Sequence, residues 1–162
     1  MRSKHFAVID RNLSAESPLL CAVGRGAPTL LTPGLDDGTI LPGVTRQSVL
    51  ELARSRSWTL PSGGSAELRV EERGVSLAEV REAARGGRLL EAFGSGTAVV
   101  VQPVSAIAFP TDGGELETIA VAHAYDGGSV AEQILGTIQD IQYARGEETE
   151  HPWSVPVCAL EG

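Results

Sequence analysis

The stretch RLLEAFGSGTAVVV, residues 88–101, contains two apolar runs joined by a segment with two glycines. Residues 88–93 and 99–101 are short and rich in apolar side chains, and the second run is entirely β-branched, as is typical of buried strands. Gly94-Ser95-Gly96-Thr97-Ala98 lies between them, and glycine permits the backbone conformations of a tight turn. The stretch therefore predicts two strands joined by a glycine turn.

Two capping boxes mark helices on either side of these strands. Ser76 with Glu79 opens a helix that ends at the glycine pair 86–87, and Ser129 with Glu132 opens the last helix of the chain. In such a box the hydroxyl and the carboxylate each satisfy an amide of the first turn. The apolar spacing predicts that these helices bury Leu77, Val80 and Ala84, and Ile134, Ile138 and Ile141.

A third helix is predicted over residues 44–54, after a loop rich in turn-forming residues at 34–43. Val49, Leu52 and Ala53 share one face of this helix. The polar residues point elsewhere, and they include Arg46, Gln47 and Arg54. The segment is therefore predicted to be amphipathic, and to begin just after Pro42 and Gly43.

Further short strands are predicted at residues 6–9, 67–73 and 107–109. Residues 14–34 have Ser, Pro and Gly at frequent intervals and no sustained periodicity, so residues 1–34 are predicted to be a short strand followed by an irregular segment. Residues 35–162 form the predicted domain. The elements do not alternate regularly, which favours a mixed α/β, α+β-like fold with helices around a mixed sheet.

Composition excludes several classes of function. The chain has 162 residues and a formal net charge of −8. This charge disfavours binding to the negatively charged backbone of a nucleic acid. No apolar run is long enough for a membrane span, and the N-terminus has no signal-peptide core. The two cysteines, Cys21 and Cys158, have no disulfide or metal-ligand spacing, so we expect a cytoplasmic protein with free thiols.

No metal site is predicted, because the three histidines, His5, His123 and His151, lack ligand spacing. Two segments are candidates for binding an anion. At residues 41–46 a helix start offers unpaired amides and the positive end of the helix dipole, and Thr45 adds a hydroxyl. At residues 94–98 the two glycines expose successive amides beside two hydroxyls. Taken alone, each pattern is more often purely structural.

Several short sequence motifs of this chain together resemble those of the branched-chain aminotransferases. They are GTILPGVTRQSVL at 38–50, VEER at 70–73, FGSGTA at 93–98, DIQY at 140–143 and WSV at 153–155. The resemblance covers about residues 35–157. It implies that residues 35–162 are the C-terminal domain of the D-amino-acid aminotransferase-like, pyridoxal-phosphate-dependent fold, a mixed sheet or pseudo-barrel with surrounding helices. D-Amino-acid aminotransferases and aminodeoxychorismate lyases share this fold, but the words FGSGTA and DIQY favour the branched-chain group.

The resemblance also implies roles for single residues. The backbone amides of Val44 and Thr45 would bind the phosphate of pyridoxal 5'-phosphate, Thr97 would bind the same phosphate, and Leu41 would pack on the cofactor ring. The amides of Thr97 and Ala98 would help to hold the substrate carboxylate. The cofactor-binding residues are thus predicted to be Leu41, Gly43, Val44, Thr45, Gly96 and Thr97.

The activity implied is transfer of an amino group between leucine, isoleucine or valine and 2-oxoglutarate. In the family a lysine upstream of this region forms the Schiff base with the cofactor. The only lysine here is Lys4, which does not match that position, so no catalytic residue is predicted. We expect a truncated chain that is inactive alone and that forms a homodimer or pairs with a lysine-bearing N-terminal half. The alternative is a noncatalytic phosphate-binding or interaction module on the same scaffold.

Overall fold

The fold is organised around a five-stranded sheet. The computed structural model describes residues 7–8, 18–23, 27–36, 38, 40–60, 63–111, 113–121, 128–148 and 151–155. The strands are β1 Ala7–Val8, β2 Pro18–Val23, β3 Pro28–Thr32, β4 Ser57–Thr59, β5 Ser65–Glu67, β6 Arg69–Glu72, β7 Leu89–Gly96, β8 Val100–Pro103, β9 Ala106–Pro110 and β10 Leu116–Ala120. The five-stranded sheet has the strand order β6-β3-β2-β7-β8. Strands β9 and β10 form a second sheet with β1, and β4 and β5 form a separate hairpin.

The three α-helices are α1 Val44–Ser55, α2 Leu77–Arg85 and α3 Val130–Gln142, and a 3-10 turn follows at Gly146–Glu148. Strand β3 runs parallel to β6 and β1 runs parallel to β9, whereas the other strand pairs are antiparallel. The prediction of a mixed α/β fold with helices around a mixed sheet is therefore confirmed.

Each face of the sheet packs against its own apolar core, since neighbouring residues along a strand point to opposite faces. Leu30 and Phe93 belong to a core with α1 and α3, whereas their chain neighbours Leu31 and Ala92 belong to a second core. The second core includes residues of α2, β9 and β10. The five-stranded sheet thus forms the middle of three layers.

Residues 11–34, for which the sequence predicts an irregular segment, contain the strands β2 and β3. Strand β2 lies between β3 and β7, in the interior of the sheet. Pro18 and Pro28 are the first residues of their strands, where proline is tolerated. The prolines therefore mark strand starts rather than an irregular loop.

The three helices lie where their local signals place them, with small differences at the buried faces. Ala83 is buried on α2, whereas Ala84 is only partly buried and packs against the core. Arg46 on α1 is predicted to point away from the apolar face, but it is only 3% exposed. Its Nη2 donates to the carbonyl oxygen of Pro33 at 2.8 Å and to Glu72 Oε2 at 2.9 Å, and these partners make its burial possible.

Candidate anion-binding site

The start of α1 is an open helix terminus. Gly43 is its N-cap residue, in an extended conformation, and no side chain caps it among the described residues. The first helical hydrogen bond is donated by the Gln47 amide to the carbonyl oxygen of Gly43 at 3.1 Å. The amides of Val44, Thr45 and Arg46 precede it and have no partner within the helix. Since the first turn also contains no acidic residue, these three donors and the helix dipole favour an anion.

A cavity of about 500 Å³ lies at this helix start. Its apolar lining comes from Leu35, Pro42, Val44 and Trp153, and its polar lining includes Arg46 and Glu51. The Val44 side chain is 83% exposed. The helix start is therefore accessible to a small molecule.

A cluster of three charged side chains connects α1 to β6. Glu72 accepts hydrogen bonds from Arg54 Nη2 at 2.8 Å and from Arg46 Nη2 at 2.9 Å. These bonds lower the pKa of the Glu72 carboxyl below its ordinary value, and the bond from Arg54 contributes more than the bond from Arg46. With one carboxylate and two guanidinium groups, the cluster carries a net positive charge at neutral pH.

The predicted glycine turn is the connection between β7 and β8. Gly94 pairs with Gln102 and Gly96 with Val100, and Thr97 and Ala98 are exposed beyond the last pair. A methyl group added at Gly94 or Gly96 would meet no atom within 4 Å, so the space beside this backbone is open. The prediction of two strands joined by a turn is confirmed, but its bounds are shifted: residues 94–96 belong to β7 and the turn lies at residues 97–99. Val99, predicted to be in a buried strand, is therefore in the turn and 52% exposed.

Two residues beside this turn are unusual, one in its hydrogen bonding and the other in its backbone conformation. Ser95 Oγ is buried and has no hydrogen-bond partner among the described residues. Val100 has a φ of 58°, which is a left-handed conformation that β-branched residues rarely adopt. Such conformations cost on the order of 1–3 kcal/mol and occur where the surrounding structure enforces them, often at binding sites.

The structure places the two predicted segments on one core but not in one cavity. Helix α1 packs against β7, and Val49, Leu50 and Phe93 belong to the same buried cluster. The cavity at the start of α1 is nevertheless lined by none of residues 94–98. The assignment of Leu41, Gly43, Val44, Thr45, Gly96, Thr97 and Ala98 to a single ligand stays a prediction.

One buried charged residue near the turn is not predicted from the sequence. Glu91, on β7, is 1% exposed, and its carboxylate accepts hydrogen bonds from the amides of Val130 at 2.7 Å and Ala131 at 3.0 Å. The available signal is a lone carboxylate inside the apolar run 88–93. That signal indicates a partner but does not identify it.

No group of three metal-ligating side chains occurs within the part of the chain that the structure describes. His151 instead packs edge-on against Trp153, with ring centroids 4.7 Å apart. His5, His123, Cys158, the Cys21 side chain and the lysine at position 4 lie outside the described residues. No described helix is long and apolar enough to cross a membrane.

Comparison with known proteins shows which proteins this segment is similar to. No family model matches the chain. The chain is 44% identical over 132 residues to the mitochondrial branched-chain-amino-acid aminotransferase of Schizosaccharomyces pombe, an alignment that covers 82% of this chain and 28% of that protein. This is a partial branched-chain-aminotransferase-like sequence.

Other branched-chain aminotransferases give the same result. The protein of Dictyostelium discoideum is 38% identical over 133 residues, covering 82% of this chain and 31% of its own length. The cytosolic protein of Saccharomyces cerevisiae is 42% identical over 140 residues, covering 83% and 33%. The chain thus spans about a third of the length of these relatives, which include cytosolic and mitochondrial proteins. The resemblance read from the motifs is confirmed, and it implies the fold of the pyridoxal-phosphate-dependent aminotransferases for this segment.

Proposed function

We propose that this chain binds the phosphate of pyridoxal 5'-phosphate and contributes to transamination of leucine, isoleucine or valine with 2-oxoglutarate. The observation that carries the proposal is the start of α1, which has no capping side chain and no acid in its first turn. A phosphate is the kind of ligand that such a terminus favours. The similarity to branched-chain aminotransferases supports the same cofactor and substrates.

Each predicted site residue has a defined part in this proposal. The amides of Val44 and Thr45 donate to the phosphate, and Gly43 lets it approach the backbone. Leu41, whose side chain is 84% exposed, packs against the apolar ring. Gly96 and the Thr97 hydroxyl complete the phosphate contacts, and the amides of Thr97 and Ala98 hold the substrate carboxylate.

The bound cofactor would supply the electron sink that transamination requires. This chain's own residues would hold and orient it. The 162 residues contain one lysine, Lys4, at a position that does not match the family's catalytic lysine. We propose that the catalytic lysine comes from a segment outside these 162 residues, in the same or another polypeptide. A homodimer or a two-part assembly would then form the complete site.

The purified 162-residue chain tests the binding half of this proposal. We expect the absorption spectrum of pyridoxal phosphate to change on titration with the chain, inorganic phosphate to compete, and pyridoxal without phosphate to bind much more weakly. Equal affinities for pyridoxal and pyridoxal phosphate would contradict a phosphate-directed site. A single lysine adduct after borohydride reduction, mapped by mass spectrometry, would contradict the assignment of a noncovalent role to this chain.

Leucine-dependent formation of glutamate tests the catalytic half. We expect none from the chain alone, because it lacks the matching lysine, and recovery of activity when a lysine-bearing N-terminal half of a branched-chain aminotransferase is added. Activity from the chain alone that disappears in Lys4→Ala would overturn the assignment of the lysine to another segment.

The second candidate function is a noncatalytic phosphate-binding module on the same scaffold. It is favoured by the presence of an open anion site in a chain whose single lysine does not match the family position. Under this alternative, pyridoxal phosphate and inorganic phosphate bind with similar affinity, and addition of the lysine-bearing half restores no activity.

A further inference from the structure

Glu91 is a buried carboxylate in the middle of an apolar strand. It lies on β7, where every residue from Leu89 to Phe93 is buried. A charged group in such a position requires strong hydrogen bonds. Its Oε1 accepts from the Val130 amide at 2.7 Å and its Oε2 from the Ala131 amide at 3.0 Å, so that both oxygens bind the first turn of α3.

Helix α3 already has its own local cap. Ser129 Oγ accepts a hydrogen bond from the Glu132 amide at 3.2 Å, and Glu132 Oε2 accepts one from the Gly128 amide at 2.9 Å. This capping box suffices to define the helix start. The additional bonds from Glu91 therefore connect α3 to a distant strand, which the capping box does not do.

The strand that Glu91 occupies leads directly into the glycine turn. Gly94, Ser95 and Gly96 lie on the same strand as Glu91, and Thr97 and Ala98 follow the end of that strand directly. Helix α3 packs against both β7 and β8, which are the two strands of this hairpin. The Glu91 carboxylate is thus a polar connection between α3 and the hairpin that presents the turn.

The turn itself requires such support. Val100 closes it in a left-handed conformation that is retained only where the surrounding structure enforces it. Val100 packs at the edge of the core that contains Val130, Ala131 and Ile134 of α3. A shift of α3 relative to β7 would therefore change the support under the turn.

We propose that Glu91 is a positioning residue, which holds α3 against the β7–β8 hairpin and so sets the conformation of residues 94–98 for a phosphate- or carboxylate-bearing ligand. The ligand part rests on the proposed function. The conformational part stands on the hydrogen bonds of Glu91 and can be measured without ligand.

The test compares Glu91→Gln with the matched variant Glu132→Gln. Both remove one carboxylate that accepts a hydrogen bond at the start of α3, but only the carboxylate of Glu91 comes from β7. A glutamine at position 91 can accept one amide hydrogen bond through its oxygen, whereas its NH₂ group would face the second amide, donor against donor. The substitution of Glu132 leaves the bonds between α3 and β7 in place.

Two measurements are made on each variant, namely amide hydrogen exchange of residues 94–98 without ligand and the dissociation constant for pyridoxal phosphate. For Glu91→Gln we expect the exchange rate at residues 94–98 and the dissociation constant each to increase about tenfold, because a buried amide of α3 loses its acceptor. For Glu132→Gln we expect both to stay within about twofold, since a glutamine oxygen can still accept the exposed hydrogen bond from the Gly128 amide. Equal effects of the two variants would show that Glu91 only caps the helix, and would overturn the proposal.

Other outcomes are also decisive. Faster exchange in Glu91→Gln with an unchanged dissociation constant would overturn the ligand part. If the wild-type chain does not bind pyridoxal phosphate, the proposed function fails, and the exchange comparison alone decides the role of Glu91. If Glu91→Gln does not fold, Glu91→Asp is compared with Glu132→Asp: faster exchange at 94–98 only in the former supports the proposal, and equal exchange overturns it.

Discussion

Helices α1 and α3 begin in different electrostatic surroundings, although they pack on the same core. The first three amides of α3, those of residues 130–132, donate to Glu91 Oε1, Glu91 Oε2 and Ser129 Oγ. The corresponding amides of α1, those of residues 44–46, have no capping side chain among the described residues, and the first turn of α1 contains no acid. The start of α3 is thus closed to an anion, and the start of α1 is open to one.

Helix α2 resembles α3 in this respect. Ser76 Oγ accepts from the Glu79 amide at 3.2 Å, and Glu79 places a carboxylate in the first turn. Two of the three described α-helices thus begin with a side-chain cap, and α1 is the exception. The exception at α1 is informative because a helix gains about 0.5–2 kcal/mol from a good cap residue. A site that lacks this stabilisation is the one best suited to a ligand.

The largest expected effect comes from closing the start of α1 with Gly43→Asp. Gly43 has a φ of −73°, which any residue adopts, and an added Cβ would lie 4.0 Å from its nearest neighbours. We expect the fold to be retained or slightly stabilised by the new cap. Binding of pyridoxal phosphate should weaken by about 100-fold or more, because like charges a few Å apart near a protein surface repel strongly.

Isothermal titration calorimetry measures this loss, and Gly43→Ala is the matched control, which adds the Cβ without an acceptor or a charge. Similar weakening in both variants would indicate a steric cause and would argue against an anion at the start of α1.

The next effect comes from opening the start of α3. We expect Glu91→Gln to lower the free energy of unfolding by about 1–3 kcal/mol, because a buried amide is left without its acceptor. Ser129→Ala should cost about 1 kcal/mol through the loss of a single cap bond. Urea denaturation monitored by circular dichroism gives both values. A smaller loss in Glu91→Gln than in Ser129→Ala would contradict the view that the buried carboxylate dominates this terminus.

The smallest effect concerns pH and the start of α2. Hydrogen bonds from Arg73 lower the pKa of the Glu79 carboxyl below its ordinary value of 4.5. A depressed folded-state pKa stabilises the fold above the unfolded-state pKa, and this contribution is lost as pH falls through the folded-state value. We therefore expect stability to decrease below about pH 4.5, with a smaller decrease in Glu79→Gln.

Thermal unfolding between pH 3 and pH 7 measures this slope. Because Glu79 and Arg73 are both about 40% exposed, solvent screening keeps the effect well under that of Glu91. An identical slope in the variant and the wild type would exclude Glu79 as a source of the acid sensitivity.

The sequence predicts those parts of this comparison that depend on residues close together in the chain. The boxes at Ser76 and Ser129 have their partners three residues away, and the open start of α1 follows from Pro42 and Gly43 with no acid in the first helical turn after them. The same local signals define the three helices and the β7–β8 turn. Local patterns suffice for these elements because their hydrogen bonds are local.

The parts that escape prediction depend on distant partners. The amides that bind Glu91 are 39 and 40 residues away, and the carboxylate that pairs with Arg46 is 26 residues away. The position of β2 in the sheet depends on pairing with β3 and β7, which no local pattern specifies. Whether the turn at 94–98 and the start of α1 bind one ligand depends in the same way on tertiary contacts.

The left-handed conformation of Val100 also affects the entropy of binding. A flexible turn would exchange among several shapes and would lose that freedom when it closed around a ligand, which weakens association. A turn whose shape is imposed by the packing beneath it has already lost this freedom during folding. Residues 94–98 are therefore expected to behave as a preorganised receptor, whose affinity is determined by the groups it presents.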